Sequence, residues 1–277
     1  MIEKENSKLC LMPWIHFHMD TGGKVKACCS TSITYGQLSG NTDAAVIDKI
    51  WNGKSVKTFR KKLLQGHPDK RCAVCYLKEK AGKSSMRTET LKKYPTLIKT
   101  VHDSTDSEGK TTLRPFYLDL RFSNICNLRC RTCWHGASSS WFEEAKLLSN
   151  TAGEKALIKA TSNNPKVLKN ILAYSTEPAE IYFAGGEPLL MDEHYQILTE
   201  LIKTGKTDTY LRYNSNLSIL KFKEFDLCDL WRKFKHIRLS VSVDATEALG
   251  NYIRKGMSWD KLLANMRTFF LKQPHIR

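Results

Sequence analysis

The sequence predicts an α/β fold in which a parallel sheet, open or closed into a partial (βα) barrel, follows a small cysteine-rich domain. From Phe116 onward, apolar runs of strand length alternate with stretches of helical periodicity, and strands separated by helices pair in parallel. The nine cysteines are grouped, seven of them in C-x2-C or C-x3-C sets or at positions that complete such a set. A polar, turn-rich stretch, His102 to Lys110, separates the two regions. The division is therefore 1–101, a linker at 102–114, and 115–277.

With 41% hydrophobic and 26% charged residues, the 277-residue chain has apolar material for one large domain or two ordinary ones. The opening MIEKENSKLCLMPW has no apolar signal-peptide core, and no stretch approaches the roughly 18 apolar residues of a membrane span. The expected location is the cytoplasm, where thiols stay reduced and grouped cysteines argue for metal rather than disulfides. The formal charge of +16 admits a nucleic-acid or acidic-peptide partner, but the lysines are scattered without a recognition motif, which favours a solvated basic surface.

In the first region, Trp14 to Met19 and Val25 to Cys29 read as strands and Ser55 to Gln65 as a helix. The region looks too small and polar to rest on its own core, so a metal cross-link is expected. The second region opens with the strand Phe116 to Arg121 and a three-cysteine loop. Ser140-x-x-Glu143 has the pattern of a helix-opening capping box. A helix near Lys166 to Tyr174 precedes the strand Ile181 to Ala184, then a helix at Glu193 to Lys203. Strands at Thr209 to Tyr213 and Ile237 to Val243 and a helix at Ser258 to Leu271 complete the alternation, with Ile276 as the possible start of a fifth strand. Six barrel units take roughly 190 residues. Leu118 to Arg277 is shorter, so the barrel is expected to be incomplete, truncated at its C-terminal side.

Cys126-x3-Cys130-x2-Cys133 follows the first barrel strand, where parallel α/β sheets build their active sites. Three thiolates on one loop hold three irons of a 4Fe–4S cube and leave the fourth open, whereas a closed zinc site needs a fourth protein ligand. A zinc knuckle completed by Cys228 or His135 is the alternative.

The segment from Ser123 to Cys133 resembles the cluster motif of the radical S-adenosylmethionine (SAM) superfamily. The resemblance implies that Cys126, Cys130 and Cys133 hold the catalytic cluster and that its open iron binds the amino and carboxylate groups of SAM. An electron then cleaves the sulfonium to methionine and a 5′-deoxyadenosyl radical, which abstracts hydrogen from a substrate. Thr132 stands where the family commonly has an aromatic residue, with Trp134 just beyond. Gly185-Gly186-Glu187-Pro188 matches the family's GGEP motif, implying close backbone approach to the methionine moiety and polar contacts to its ammonium. Ser242 and Arg254 resemble a serine and an arginine that contact SAM, the planar fork of Arg254 suiting a carboxylate, although Arg254 reads equally as a solvated helix residue. Asn214 and Asn216 are similarly placed at a strand end but also read as turn residues.

Cys10, Pro13-Trp14, Gly23-x4-Cys28-Cys29, Ile50-Trp51-Asn52 and Arg71-Cys72-x2-Cys75 resemble the SPASM or shorter twitch domains, which usually follow the barrel. This implies that Cys10, Cys28, Cys72 and Cys75 bind a second, auxiliary 4Fe–4S cluster, with Cys29 as the competitor of Cys28 and structural zinc as the competitor of the cluster. Cys228 reads as a buried small apolar residue, and His16 and His18 as alternating strand positions that face one side and pair with a metal no more convincingly than with solvent.

The resemblance implies an enzyme that generates the 5′-deoxyadenosyl radical and modifies a peptide or protein, with a flavodoxin or ferredoxin as electron donor. An iron–sulfur electron carrier without SAM cleavage and a zinc-stabilised nucleic-acid-binding protein are the rival readings.

Overall fold

Pro13 fixes a backbone angle suited to the first turn of a helix. In the computed structural model the run from Trp14 accordingly starts as a helical turn, Met12–Ile15, and becomes strand β1 only at His16–Met19. The structure describes residues 8–38, 44–148, 155–160, 166–174 and 178–272. The fifth-strand start expected at Ile276 lies outside them.

The chain forms two compact units. The first comprises Met1–His18, Lys24–Leu118 and Thr161–Pro178; the second comprises Met19–Gly23, Asp119–Ala160 and Ala179–Arg277.

In the first unit, β2 (Lys24–Lys26) pairs antiparallel with β3 (Thr34–Gln37). Contrary to expectation, this unit has a substantial core. Helix Lys54–Leu64 places Val56, Phe59 and Leu63 on one buried stripe, joined by Trp14, Ile47 and Trp51. Arg60 is buried at the centre because its donors are satisfied: Nε and Nη2 donate to the Pro13 carbonyl at 2.9 and 2.8 Å, Nη1 donates to Asn52 Oδ1 at 3.0 Å, and the guanidinium lies 4.8 Å from the Trp51 ring. His16 and His18 are both buried, their rings stacked 6.0 Å apart. The turn-rich segment is fastened down: Trp14 Nε1 donates to Thr105 Oγ1 and Trp51 Nε1 to the Leu113 carbonyl, each at 2.8 Å.

The second unit carries β4 (Tyr117–Leu120, entering from the first unit), β5 (Arg129–Cys130), β6 (Glu180–Phe183), β7 (Tyr210–Ser215), β8 (Lys221–Phe222), β9 (Phe225–Asp226), β10 (Ile237–Val241) and β11 (Arg254–Lys255). The main strands lie in the order β10–β7–β6–β4, with β6/β7 and β7/β10 parallel. Helices Asp192–Lys203 and Trp259–Lys272 follow β6 and β10, and the first buries Tyr195, Ile197, Leu198 and Leu201. Alternation along β7 buries Leu211, Tyr213 and Ser215 and turns Asn214 outward. Because β6, β7 and β10 run the same way, the segments that leave them emerge at one edge.

Ser140 does not cap a helix. Its hydroxyl donates to the Cys126 carbonyl at 2.6 Å, and the chain makes a 3-10 turn at Ser139–Trp141 before the helix Phe142–Leu148. Ser140 sits inside that 3-10 turn, not at the cap position in front of a helix.

Candidate active site and auxiliary metal centre

The three cysteines after β4 sit on a loop held from several sides. Asn124, fully buried, donates through Nδ2 to the His135 and Ala156 carbonyls at 2.8 and 2.9 Å and accepts the Ile158 N–H at 2.8 Å. Ser138 Oγ donates to the Leu128 carbonyl at 2.7 Å. The second half of the loop is clipped by β5, which pairs antiparallel with β11 so that Cys130 stands opposite Arg254. These bonds come from this chain's own residues and tie the loop at both ends.

The turn at Gly185–Glu187 lies directly against it. Gly186 N–H donates to the Ser123 carbonyl at 3.0 Å and Glu187 N–H to the Ile125 carbonyl at 2.6 Å. A Cβ on Gly186 would collide with the backbone of Asn124 and Ile125, and Gly185 has φ +115°, a region that favours glycine. The Glu187 side chain is buried and engaged: Oε1 accepts from Ser215 Oγ at 2.8 Å and Leu189 N–H at 3.1 Å, and Oε2 from Asn216 N–H at 2.7 Å. Burial pushes its carboxyl up to about 7 against the opposing pull of those donors.

A cavity of about 310 Å³ opens between these segments, lined by Cys126, Cys130, Cys133, Gly185, Gly186, Glu187, Asn214, Asn216, Ser242 and Arg254. Arg254 lies with Nε 2.8 Å from Asp244 Oδ2 and donates through Nη1 to Cys130 Sγ at 3.6 Å. It is therefore a partly buried, paired side chain, not a solvated one. Asn216 Nδ2 reaches Asn127 Oδ1 at 3.0 Å and Cys126 Sγ at 3.9 Å. Thr132 lines the cavity, whereas Trp134 is 64% exposed. Burial raises all three thiols, Cys126 to about 11. A metal bound at thiols favours their deprotonated form.

In the first unit a second, small pocket of about 30 Å³ is lined by Cys10, Cys28, Cys72 and Cys75, with Tyr76, Met86 and Arg87 in its wall. Cys28 lines it; Cys29 is exposed and its Sγ lies 3.8 Å from Ser30 Oγ. Asp69 caps the turn that carries Cys72: it accepts the Arg71 N–H at 3.0 Å and pairs with the Arg71 guanidinium at 2.8 Å. That contact holds its carboxyl well below the usual range. Burial raises the Cys10, Cys28 and Cys72 thiols.

The family model of the radical SAM superfamily matches residues 120–272, more than half of the chain. This chain belongs to the radical SAM superfamily. A second model, the SPASM iron–sulfur cluster-binding domain, matches residues 10–76 of this radical SAM chain. Members of the superfamily are enzymes that carry a 4Fe–4S cluster and SAM, and a SPASM domain implies auxiliary iron–sulfur binding. No curated protein matches the chain. Among solved structures, native anSMEcpe with bound AdoMet aligns at 19% identity and TM-score 0.40, over 58% of this chain and 42% of that one. SuiB of Streptococcus suis aligns at 16% identity and TM-score 0.39, over 78% and 46%. The chain spans less than half the length of either.

Both donor sets fit these groups. The first offers three thiols, and neither Cys228, buried in the helix Leu227–Trp231, nor His135 lines the cavity to complete a closed zinc site. The second offers four thiols, a complete set for a fully ligated cluster. Reading the sequence missed Asn124, Asp244 and Arg87 as parts of these sites. Asn124, two residues before Cys126, looks like any turn residue, and Arg87 reaches the Leu9 carbonyl, at 3.0 Å, across a separation of 78 residues.

Proposed function

We propose that this chain contains the SAM-cleaving portion of a radical SAM enzyme that modifies a peptide or protein side chain. It comprises a SPASM/twitch-like domain (1–101), a linker (102–114) and a catalytic core of the radical SAM type (115–277). The observation that carries the reading is the single cavity shared by Cys126, Cys130, Cys133, the Gly185–Gly186 turn, Asn214, Ser242 and Arg254. When bound, the cluster and SAM supply an electron and a sulfonium whose reductive cleavage gives a 5′-deoxyadenosyl radical. Cys126, Cys130 and Cys133 hold the cluster. The Gly185–Gly186 backbone, with no side chain in the way, receives the methionine end of SAM. Asn214, Ser242 and Arg254 orient its polar groups, and Glu187 keeps the Gly185–Gly186 turn and the end of β7 in register rather than meeting SAM with a free carboxylate.

Cys10, Cys28, Cys72 and Cys75 hold the auxiliary 4Fe–4S cluster. A flavodoxin or ferredoxin serves as reductant, and the enzyme works as an oxidoreductase of the cytoplasm. Support for the last point is that the nine cysteines form no disulfide and no helix of the described residues is long and apolar enough to cross a membrane. The peptide class rests on the resemblance to auxiliary-cluster enzymes and on the basic surface, with 44 Lys and Arg against 28 Asp and Glu. The Gly185–Gly186–Glu187–Pro188 turn and the Ser242/Arg254 pair beside the three thiols support this reading over an electron carrier, which has no use for a SAM pocket.

The test is anaerobic reconstitution with iron and sulfide followed by dithionite and SAM. The expected product is 5′-deoxyadenosine, absent when Cys126, Cys130 and Cys133 are all alanine. A cluster-loaded chain that binds SAM yet yields none would overturn the assignment.

A further inference from the structure

We infer that Arg254 is a positioning residue for the catalytic cluster itself, setting the cluster's reduction potential through the sulfur of Cys130, with Asp244 as the counter-charge that limits the effect. The inference rests on the proposed function in one respect, that Cys130 is a cluster ligand. It goes beyond it in giving Arg254 a task that does not depend on SAM.

The geometry is specific. Arg254 Nη1 donates to Cys130 Sγ at 3.6 Å, within reach of a sulfur acceptor, and Nε lies 2.8 Å from Asp244 Oδ2. The Arg254 side chain is only 14% exposed, so the interaction is weakly screened by water. The backbone enforces the pairing: β11 and β5 place Arg254 opposite Cys130 and Lys255 opposite Arg129, and Arg131 N–H donates to the Ile253 carbonyl at 2.8 Å. Tyr252 adds a stacked cation, the Arg131 guanidinium lying 3.9 Å from its ring. The clip binds the loop to the 252–255 segment, so the Arg254–Cys130 contact is set by this chain's own backbone.

Reduction adds negative charge to a cluster, and hydrogen bonds and positive charge at its sulfurs stabilise the reduced form. Arg254 raises the potential and makes the one-electron reduction easier. Asp244, its carboxylate against the guanidinium, opposes that.

The experiment is a reductive titration of the full chain, without SAM, followed by electron paramagnetic resonance. The catalytic signal is the one missing from the Cys126→Ala/Cys130→Ala/Cys133→Ala variant. With iron and sulfide content unchanged, Arg254→Gln is expected to lower the reduced-to-oxidised ratio at a fixed potential at least tenfold, a shift of 59 mV for one electron. Arg254→Lys should recover part of it, and Asp244→Asn should shift the ratio the opposite way. A merely structural role would move both substitutions in the same direction or cost iron without moving the signal. Should Arg254→Gln fail to load, Asp244→Asn decides alone. An unmoved potential in loaded variants overturns the inference and leaves the proposed function standing. A wild-type chain with no iron at the three cysteines removes that function, and the inference with it.

Discussion

Glu187 Oε2 accepts the backbone N–H of Asn216 at 2.7 Å, joining the turn after β6 to the end of β7. The same carboxylate takes the Ser215 hydroxyl, and the Glu187 N–H is spent on the carbonyl of Ile125, one residue before Cys126. Three segments far apart in sequence are thus set in register by one buried acid, which makes Glu187 the mechanical centre of the cavity. Glu187→Ala removes three acceptor contacts from a buried site and should destabilise the chain by about 2 to 4 kcal/mol. Urea unfolding measures it.

The Glu187 carboxyl is held at about 7, up from 4.5, chiefly by burial. A raised acid binds more protons folded than unfolded between those two values, so its contribution to stability is present below about 4.5 and is lost as pH rises through 7. The loss is on the order of 3 kcal/mol. Glu187→Gln should flatten this part of the stability profile, measured by unfolding between pH 5 and pH 8.

Gly186 has no space for a side chain against the backbone of Asn124 and Ile125. Gly186→Ala should cost about 1 to 3 kcal/mol through overpacking and lower iron loading at the three-cysteine loop. Equal loading and stability would show that the loop yields freely.

At the auxiliary site, Cys28 lines the pocket and Cys29 is exposed. Cys28→Ala should lower iron from about eight toward about four per chain, and Cys29→Ala should leave it unchanged. Iron and sulfide analysis of the two variants decides between the neighbours.

Arg87, buried in the wall of the same pocket, pairs with Glu79 at 2.5 Å and donates to the Leu9 carbonyl beside Cys10. Burial lowers its tendency to hold a proton, but Glu79 more than restores it. Arg87→Met strands the partly buried Glu79 and should cost about 3 kcal/mol, read from thermal unfolding, whereas the double substitution with Glu79→Gln should cost less.

Much of this was legible in the sequence. The strands expected near Phe116, Ile181, Thr209 and Ile237 occur at Tyr117–Leu120, Glu180–Phe183, Tyr210–Ser215 and Ile237–Val241, where aromatic and branched apolar residues concentrate between polar turn residues. The helix at Lys166–Tyr174 matches the expected span. What failed did so where a side chain answered to a distant partner. Ser140 had the pattern of a cap, but it lies inside a 3-10 turn where its hydroxyl donates to the distant Cys126 carbonyl. Helices Ala73–Lys80 and Met86–Lys93 were missed because the first buries no residue completely and the second only Arg87 and Thr90, leaving no apolar stripe to read. The core of the first unit was underestimated because Arg60 counts as polar in composition yet fills space between Trp14 and Trp51.

The central claim is that two separate cysteine sets each hold an iron–sulfur cluster, and the most direct measurement is iron and acid-labile sulfide per chain after anaerobic reconstitution. About eight irons with matching sulfide, falling to about four in the Cys126→Ala/Cys130→Ala/Cys133→Ala variant, is the predicted result. Zinc without sulfide, or an iron content that the triple substitution leaves unchanged, would contradict it.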